Sequence, residues 1–315
     1  MSGLLILAGP TATGKTTLAL ELAGLLEGEV VSADSRQVYR ELDIGTAKPS
    51  PEELRQVRHH LVDVIGVREG YNAGRFAAEA GAAIADIRSR GRTPIICGGT
   101  GFYIETLLAP LFDEPVVGAP KKEKVRRQLR ERFEHEGPAE LHRELALVDP
   151  ASAERLHPND FQRISRALEL YYFSGRSMTE LFGSSRPQPA YESFTVILDL
   201  PLDRLEERIR RRTERMFERG WPVEVKRLLA AGVPVRAPGM QSLGYPEVIE
   251  LVEGKIGREE AFERIVKKTR QYAKRQRTWF RKRAAALRVE PQAAEAETIA
   301  RRWNEHLIKI EGTGK

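Results

Sequence analysis

"LLILAGPTATGKTT", residues 4–17, is the stretch from which the fold of this chain follows. Its first five residues form an apolar run, which predicts a short strand buried on both faces. The next eight, Gly9 to Thr16, match the pattern G-x-x-x-x-G-K-[ST], and residues 15–26 then have the spacing of a helix. A glycine loop between a strand and a helix directs backbone N–H groups at phosphate oxygens, so the stretch predicts a phosphate site.

Later apolar runs predict further strands of the same sheet. They cover residues 29–35, 93–99 and 193–200, with 59–65 as one more candidate, and a helix is predicted over residues 72–90. Strands that alternate with helices form parallel, doubly wound sheets, which bind ligands beyond the carboxyl ends of their strands. The predicted class is therefore α/β with a parallel sheet.

The pattern changes near residue 113, because the sequence from 120 to 182 contains charged amphipathic helices and no convincing strand. We therefore predict three parts: residues 1–112 as the first part of the core, 113–190 as an inserted all-helical domain, and 191–315 as the rest of the core with a helical C-terminal part. Helices of this last part are predicted over residues 202–219, 222–231, 246–253 and 258 to about 285.

Composition narrows the class of protein. With 315 residues and 30% charged residues, the chain is typical of a soluble protein of one or two domains. Its single cysteine, Cys97, cannot form an intrachain disulfide. No apolar run approaches the roughly 20 residues that cross a bilayer, and the N-terminus lacks a signal-peptide pattern. We expect a cytoplasmic protein without a membrane span. The net charge of +6 attracts polyanions but identifies none.

The residues around the glycine loop from Gly9 to Thr16, here called the phosphate loop, indicate group transfer. Lys15 would reach the terminal phosphates and Thr16 would ligate Mg²⁺. A motor ATPase or GTPase also needs an acidic residue after a second strand, but "TPIIC" is followed by glycines and Thr100. Asp34 instead follows the strand after the loop helix, where a carboxylate can accept a proton from an acceptor substrate. The alternative is that Asp34 only caps a turn.

Three helical stretches carry the positive charge. In residues 204–220, Arg208 and Arg212 lie on one face and could hold a diphosphate, although a solvated, acid-paired face is the alternative. Residues 264–283 contain no acid, and their cations form a stripe typical of phosphate-backbone binding, with an anionic membrane surface as the alternative. The stripe consists of Lys267, Arg270, Lys274, Arg277 and Arg281. In residues 157–169, Asn159 or Asp160 can cap a helix that presents further cations.

Eight motifs in this order resemble one family, the bacterial tRNA dimethylallyltransferases, also called tRNA isopentenyltransferases. They are "GPTATGKT" (9–16), "SADSRQVY" (32–39), "IGTAKP" (44–49), "HHLVDV" (59–64), "GGTGFY" (98–103), "HPNDFQRISRALE" (157–169), "GY" (244–245) and "TRQYAKRQRTWFR" (269–281). The resemblance covers roughly residues 4–285 and implies a P-loop NTPase-like core.

The resemblance implies that the loop holds dimethylallyl diphosphate and that the prenyl group goes to N6 of adenosine 37 in tRNAs reading codons that begin with U. Asp34 would accept the N6 proton. Lys15, Thr100 and Arg212, with Arg208 as the other candidate, would stabilise the leaving diphosphate together with Mg²⁺ held by Thr16. The implied donor-binding residues are Gly9, Pro10, Thr11, Ala12, Thr13, Gly14, Lys15 and Thr16.

The resemblance also implies residues that contact the anticodon stem-loop of tRNA, whose target base must be flipped out of its stack. They are Asp34, Ser35, Arg36, Gln37, Thr100, Arg126, Gln162, Arg163, Ile164, Ser165, Arg166, Gln241, Gly244, Tyr245, Lys274, Arg275, Arg277 and Arg281. A monomer is expected.

Three other functions remain open on the sequence. A P-loop kinase of small molecules shares the loop and the acceptor carboxylate, but does not explain the acid-free basic helix. An adenylate isopentenyltransferase shares the donor, but the 113–190 insertion favours a macromolecular acceptor. A non-catalytic RNA-binding protein would leave Asp34 and the phosphate loop without a role.

Overall fold

The computed structural model describes residues 3–109, 117–184 and 190–312, and a parallel sheet of six strands lies at the centre of the described chain. The strands are β1 (Leu4–Ala8), β2 (Gly28–Ser32), β3 (His59–His60), β4 (Thr93–Gly98), β5 (Ser193–Leu198) and β6 (Leu287–Val289). Their order is β3-β2-β4-β1-β5-β6, and every neighbouring pair is parallel. The predicted α/β class is confirmed, and the apolar run of β1 is buried from end to end.

Fourteen helices accompany the strands in the described residues. In chain order they are α1 (Lys15–Leu25), α2 (Pro51–Gln56), α3 (Ala73–Ser89), α4 (Gly101–Leu108), α5 (Ala119–Glu136), α6 (Pro138–Val148), α7 (Pro150–Arg155), α8 (Phe161–Ser174), α9 (Met178–Ser184), α10 (Leu202–Glu218), α11 (Trp221–Ala230), α12 (Tyr245–Val252), α13 (Arg258–Arg281) and α14 (Ala296–Gly312).

The chain divides into two compact units. One runs to Leu108 and resumes at Ala190, and the other lies between Ala109 and Pro189. The boundary expected between residues 112 and 113 lies outside the described residues. Within residues 117–184 the second unit is built from helices α5 to α9, which bury a small leucine-rich core of their own.

The two faces of the sheet are covered by different helices of the first unit. On one face, the alternate residues Leu5 and Leu7 pack with α1 and with Trp303 of α14. On the other face, Ile6 packs with Phe76 of α3 and with residues of α4. Successive side chains of a strand point to opposite faces, so one apolar run fills two layers of core. Helices therefore cover both faces of the sheet, and the place that remains for a ligand is beyond the ends of the strands.

The structure differs from the predicted secondary structure in two respects. Residues 59–65 form a strand only at His59 and His60, because Leu61 and Asp63 take left-handed backbone angles with φ of 61° and 58°. The sequence analysis also did not predict β6 and α14. Strand β6 is three residues long and only partly buried, so it has no apolar run that would predict it. Helix α14 packs Trp303 into the core.

No helix in the described part of the chain combines the length and the apolar character that crossing a bilayer requires.

A buried carboxylate lies at the amino ends of the strands, opposite the ends that carry the phosphate loop. Glu29 of β2 is 3% exposed. Its Oε2 accepts hydrogen bonds from Nη2 of Arg90 at 2.9 Å and from Nε2 of His60 at 2.7 Å, and Oε1 accepts one from Nη1 of Arg90. The hydrogen bonds from Arg90 hold the pKa of Glu29 at about 2, against an ordinary value of 4.5. Glu29 therefore stays ionised and tethers the end of α3 to the sheet.

Replacing Glu29 with Gln is expected to destabilise the fold by about 2 kcal/mol at pH 7, since hydrogen bonds to an ionised group are lost. Because the folded-state pKa is depressed, this contribution is complete above pH 4.5 and is lost as the pH falls towards 2. Urea unfolding at pH 7 and at pH 3.5 measures both effects. Glu52→Gln, which breaks an exposed ion pair with Arg55, is the control and should change stability by less than about 1 kcal/mol. An equal loss in both variants would contradict the assignment.

Candidate active site

A cavity of about 940 Å³ lies where β1, β2 and β4 end. The phosphate loop, the turn after β2 and the glycines after β4 contribute to its wall, and α10 closes it with a row of arginines. The carboxyl ends of neighbouring parallel strands meet at one edge, so these segments converge although they are far apart in the sequence. The cavity is the place that the sequence analysis expected for the ligand.

The backbone of the phosphate loop depends on its two glycines. Gly9 has φ of 145°, and a Cβ there would lie 2.2 Å from the carbonyl oxygen of Leu198 in β5. Gly14 caps α1 in the left-handed region with φ of 88°. Thr13 Oγ1 and Lys15 Nζ both donate to the Pro10 carbonyl, at 2.9 and 2.6 Å. The loop is thus closed on itself, with the N-terminus of α1 facing the cavity.

Lys15 is the cation at the base of this loop. Desolvation in the cavity wall lowers the pKa of Lys15 from 10.5 to about 8, and the positive charge of Arg212 adds to this shift. The carboxylate of Asp34 opposes it, as would the thiolate form of Cys97. Burial raises the pKa of Cys97 itself to about 11, so this thiol is neutral at pH 7. Lys15 therefore remains charged at pH 7, but at a cost that a bound anion would remove.

Asp34 both caps a turn and faces the cavity. Its Oδ1 accepts hydrogen bonds from the backbone N–H groups of Arg36 and Gln37, at 2.8 and 3.4 Å. Across the described chain, no hydrogen bond reaches its Oδ2. Thr100 lies beside the same turn, since its Oγ1 accepts from Ser35 N at 3.1 Å. The cap that the sequence offered as an alternative is present, and it orients the carboxylate while leaving one oxygen for a substrate.

Two arginines of α10 line the cavity in different roles. Arg208 Nη1 donates to the carbonyl oxygens of Thr13 and Ala12, at 3.2 and 3.4 Å, so this side chain holds the phosphate loop. The Nε of Arg212 is buried and has no hydrogen-bond partner in the structure as described. Desolvation lowers the pKa of Arg212, and Asp34 opposes this shift. A guanidinium with a buried, unsatisfied N–H at a phosphate loop has the chemistry to bind an anion.

Gln276 of α13 is a residue that the sequence analysis missed. It is 7% exposed, its Oε1 accepts from Thr11 N at 2.9 Å, and its Nε2 donates to the Gly99 carbonyl at 2.8 Å. One amide therefore joins the phosphate loop to the end of β4. Its position between two arginines concealed the signal that was there, since a spacing of three and four residues places Gln276 on the same helix face as the buried Ala273 and Phe280.

Tyr272, one turn before Gln276, also lines the cavity. Burial raises the pKa of Tyr272 to about 12, with the charge of Asp34 adding to the shift and the Thr100 side chain opposing it. The phenol is thus protonated at pH 7 and lies at the same part of the wall as Asp34.

The structure does not support a tRNA contact by Gly244 or by the side chain of Tyr245. Gly244 is buried, and a Cβ there would lie 2.2 Å from the Trp221 ring. Tyr245 is fully buried, and its hydroxyl donates to Glu224. Gln241 remains exposed and donates to the Val235 carbonyl. The motif therefore marks packing against Trp221.

The basic stripe on α13 is partly neutralised by other elements, which corrects the expectation of unpaired cations. Arg277 forms an ion pair with Asp199 at 2.8 Å, and Arg270 pairs with Glu206 at 2.7 Å. Over the described ranges, Lys274 and Arg281 are exposed and have no acidic partner. Arg275 is also exposed, with its guanidinium 5.8 Å from the Tyr272 ring centroid. The stripe keeps cations for a polyanion, but fewer than its sequence indicated.

In the second unit, Asp160 caps α8 by accepting from Arg163 N at 3.2 Å. Gln162 and Arg163 are exposed on its first turn. Ile164 and Ser165 are buried in the helical core, so their side chains do not support the predicted tRNA contacts. A nucleic acid could reach this turn through Gln162 and Arg163.

Arg126 of α5 and Arg166 of α8 meet at one carboxylate, that of the buried Glu169. Arg126 Nε lies 3.1 Å from Oε1, and Arg166 Nη1 lies 3.3 Å from Oε2. The group carries one net positive charge, with both arginines partly exposed.

Metal ligands are few around the cavity. No group of three His, Cys, Asp or Glu side chains converges within residues 3–109, 117–184 and 190–312. Thr16, the predicted Mg²⁺ ligand, lines the cavity at the start of α1. A hydroxyl beside a phosphate site suits Mg²⁺, which keeps most of its ligands as water and phosphate oxygen.

The chain is similar to one protein family over most of its length. Residues 37–283 match the model of the family described as IPP transferase. A tRNA dimethylallyltransferase of Thermomicrobium roseum is 46% identical over 276 residues, covering 88% of this chain and 82% of that protein. One from Geobacter metallireducens is 44% identical over 288 residues, covering 91% and 92%.

Solved structures match the whole fold as well. A full-length tRNA isopentenylpyrophosphate transferase of Bacillus halodurans is 32% identical, with a TM-score of 0.70 over 99% of this chain and 100% of that one. A eukaryotic dimethylallyltransferase acting on tRNA is also 32% identical, with a TM-score of 0.77 over 89% of this chain and 70% of that one.

The lowered pKa of Lys15 predicts how anion binding depends on pH. Affinity for inorganic pyrophosphate should fall once the pH rises above about 8, because Lys15 then loses its charge. The loss approaches about tenfold per pH unit. Titration calorimetry from pH 7 to 9.5 measures the dependence. Lys15→Arg, which stays charged throughout, is the matched variant, and the ionisation of pyrophosphate is common to both proteins. Parallel curves for the two proteins would show that Lys15 does not contact the anion.

Proposed function

This chain belongs to the IPP transferase family, and from that premise we propose that it carries the dimethylallyl group of dimethylallyl diphosphate to N6 of adenosine 37 in tRNAs that read codons beginning with U. It is an enzyme that transfers a dimethylallyl group to tRNA. The observation that carries the finer proposal is one cavity with the phosphate loop and two desolvated cations beside a carboxylate that keeps one oxygen free.

The cationic part of the cavity suits the diphosphate of the donor. The N-terminus of α1, Lys15 and Arg212 present positive charge to one region, and Arg212 Nε lacks a partner among the described residues. A diphosphate would satisfy these groups and stabilise the charged form of Lys15. Arg208, the other candidate, is already bonded to the loop carbonyls, so we assign it to holding the loop and Arg212 to the diphosphate.

The proposed reaction replaces a carbon–oxygen bond of the donor with a carbon–nitrogen bond to the acceptor base. N6 of the adenine attacks C1 of the dimethylallyl group, the bond from C1 to the diphosphate oxygen breaks, and diphosphate leaves with the electron pair. The N6 proton passes to Oδ2 of Asp34. Lys15 and Arg212 stabilise the negative charge that grows on the leaving oxygen, and donors in such positions are worth roughly 3 kcal/mol of barrier each.

Mg²⁺ fits this site through Thr16, and when bound it would neutralise part of the diphosphate charge. The carboxylate of Asp34 belongs to the acceptor side, so the chain itself supplies one hydroxyl and leaves the other ligand positions to phosphate and water.

The acceptor is a base from a single-stranded loop, which must leave its stack to reach Asp34. The exposed cations Lys274, Arg275 and Arg281 of α13 suit its phosphate backbone, as do Gln162 and Arg163 in the second unit. Arg36 is exposed beside the Asp34 turn and suits the flanking nucleotides. We further propose that the enzyme works in the cytoplasm as a monomer.

Asp34→Asn is expected to lower kcat by at least about 100-fold, because the amide keeps the acceptor oxygen for the turn but cannot take a proton. The measurement is transfer of label from prenyl-labelled dimethylallyl diphosphate to unmodified tRNA whose anticodon ends in A, with Mg²⁺ present. Affinities for tRNA and for the donor should stay within about twofold. Glu21→Gln, which removes an exposed carboxylate from α1, is the control and should leave turnover unchanged.

The same assay separates the alternatives for the wild-type enzyme. Label on adenosine 37 supports the proposal, and label on AMP instead would make the enzyme an adenylate isopentenyltransferase. Phosphate released from ATP, with no prenyl transfer to either acceptor, would make it a kinase.

Replacing both Lys274 and Arg281 with Gln should weaken tRNA binding and reduce the slope of log K against log salt. The slope falls by about 0.7 to 0.9 for each phosphate that the protein no longer neutralises. Arg270→Gln is the control, because its guanidinium already pairs with Glu206, and it should change the slope by much less. Filter binding of tRNA between 50 and 300 mM salt, roughly the range over which such slopes are resolved, measures both. An unchanged slope in the double variant would place the tRNA surface elsewhere.

A further inference from the structure

The segment from Asp43 to Pro49, here called the cavity loop, forms one wall of the cavity without any helix or strand. Gly45, Thr46 and Ala47 are among its lining residues. Irregular backbone at a buried site needs a partner for each N–H and C=O group, because unpaired groups cost free energy. The partners of the cavity loop therefore decide the shape of the wall.

A single buried carboxylate is the partner of three consecutive N–H groups of the cavity loop. Glu224 of α11 is 7% exposed. Its Oε2 accepts from the N–H groups of Asp43 and Ile44, both at 2.8 Å, and its Oε1 from that of Gly45 at 3.5 Å. The Tyr245 hydroxyl completes the set at 2.7 Å. Throughout the described residues, no Lys or Arg pairs with Glu224, so backbone dipoles and one phenol satisfy its charge.

Tyr245 is suited to remain a donor in this cluster. Burial and the neighbouring charge of Glu224 raise its pKa far above the ordinary value of 10, so the phenol keeps its proton. This gives the buried "GY" pair a role at the site although neither side chain reaches a substrate.

Trp221 sets how closely α11 approaches the cavity loop. A Cβ on Gly45 would lie 2.2 Å from its Nε1, and a Cβ on Gly244 would lie 2.2 Å from its ring. The ring thus fits between two glycines, one on the cavity loop and one before α12. Close approach of this kind brings Glu224 within hydrogen-bond distance of the loop backbone.

The cavity loop in turn holds the turn that carries Asp34. The Ala47 carbonyl accepts from Nε2 of Gln37 at 3.1 Å, and the Gln37 backbone N–H donates to Asp34 Oδ1 at 3.4 Å. On its other side, Lys48 Nζ donates to Asp43 Oδ1 at 2.7 Å. Hydrogen bonds, joined by the covalent backbone of the loop and by Gln37, therefore connect Glu224 to the carboxylate of Asp34.

We infer that Glu224 is a positioning residue for transfer: it holds the cavity loop in place, and through that loop it aims Asp34 at the acceptor. The inference rests on the proposed function. Glu224 touches no substrate, so its loss should act on turnover and on the use of the donor and should leave the exposed tRNA surface of α13 intact. Small displacements of a reacting group are costly, up to about 100-fold in rate for 1 Å.

Glu224→Gln and Tyr245→Phe test the inference. The Gln amide turns one acceptor into a donor facing an N–H or O–H group, whereas the Phe removes one of the four donors. Glu224→Gln should lower kcat about tenfold or more, with the tRNA KM within about twofold, and should speed amide hydrogen exchange of the peptide covering residues 43–47. Tyr245→Phe should shift the same quantities in the same direction by less, and it decides the question if Glu224→Gln does not fold.

Ile299→Ala is the matched control, because it removes packing between α14 and the sheet and leaves the cavity loop untouched. It should lower Tm without changing kcat, KM or exchange of residues 43–47 at a temperature well below Tm. If the Glu224 and Tyr245 variants behave like this control, Glu224 only stabilises the fold and the inference is wrong.

Failure of the proposed function is a separate result. It would appear as a wild-type protein that transfers no label to tRNA. Exchange of the cavity loop and pyrophosphate affinity would then still show whether Glu224 shapes the cavity.

Discussion

The close approach of the phosphate loop to β5 is the constraint on which the site depends. Gly9 lies against the Leu198 carbonyl, where no Cβ fits, so the chain can leave the central strand and turn directly into α1. The turn places the N–H groups of the loop and the helix N-terminus at the ends of the strands. Two long-range hydrogen bonds then fix the loop, since Gln276 accepts from Thr11 and Arg208 donates to Thr13.

The cavity separates two kinds of charge, which suits a reaction between an anionic donor and a neutral base. In the proposed reaction Lys15 and Arg212 belong to the donor side, and desolvation lowers the pKa of both. In the same proposal Asp34 belongs to the acceptor side, and one of its oxygens is committed to its turn. A second carboxylate, that of Glu224, holds the cavity loop by hydrogen bonds and does not itself line the cavity. Burying the carboxylate of Glu224 without a charged partner costs free energy. In return, its hydrogen bonds hold the cavity wall in one arrangement before any substrate binds.

Much of the fold and part of the site could be predicted from the sequence. β1, β2, β4 and β5 each contain a short apolar run, and the buried strands of a parallel sheet favour such runs, so the sequence pattern predicted them. The strand predicted over residues 59–65 was wrong beyond His60 because Leu61 and Asp63 take left-handed backbone angles, which an apolar run does not reveal. Among the predicted site residues, Asp34 and Lys15 line the cavity, whereas the side chains of Tyr245 and Ile164 are buried. A motif records which residues occur together and not where each side chain points.

Local spacing and the order of motifs along the chain were enough to identify the parallel α/β sheet, the phosphate loop, the carboxylate after β2 and the family. The roles of residues within those motifs emerged only in the folded chain. Folding bonded Arg208 to the loop and left Arg212 Nε unsatisfied, paired Arg277 with Asp199, and turned Gln276 and Tyr245 inward. The physical reason is that burial and pairing depend on which elements meet, and residues like Glu224 and Gly45, 179 positions apart, meet only through the tertiary fold.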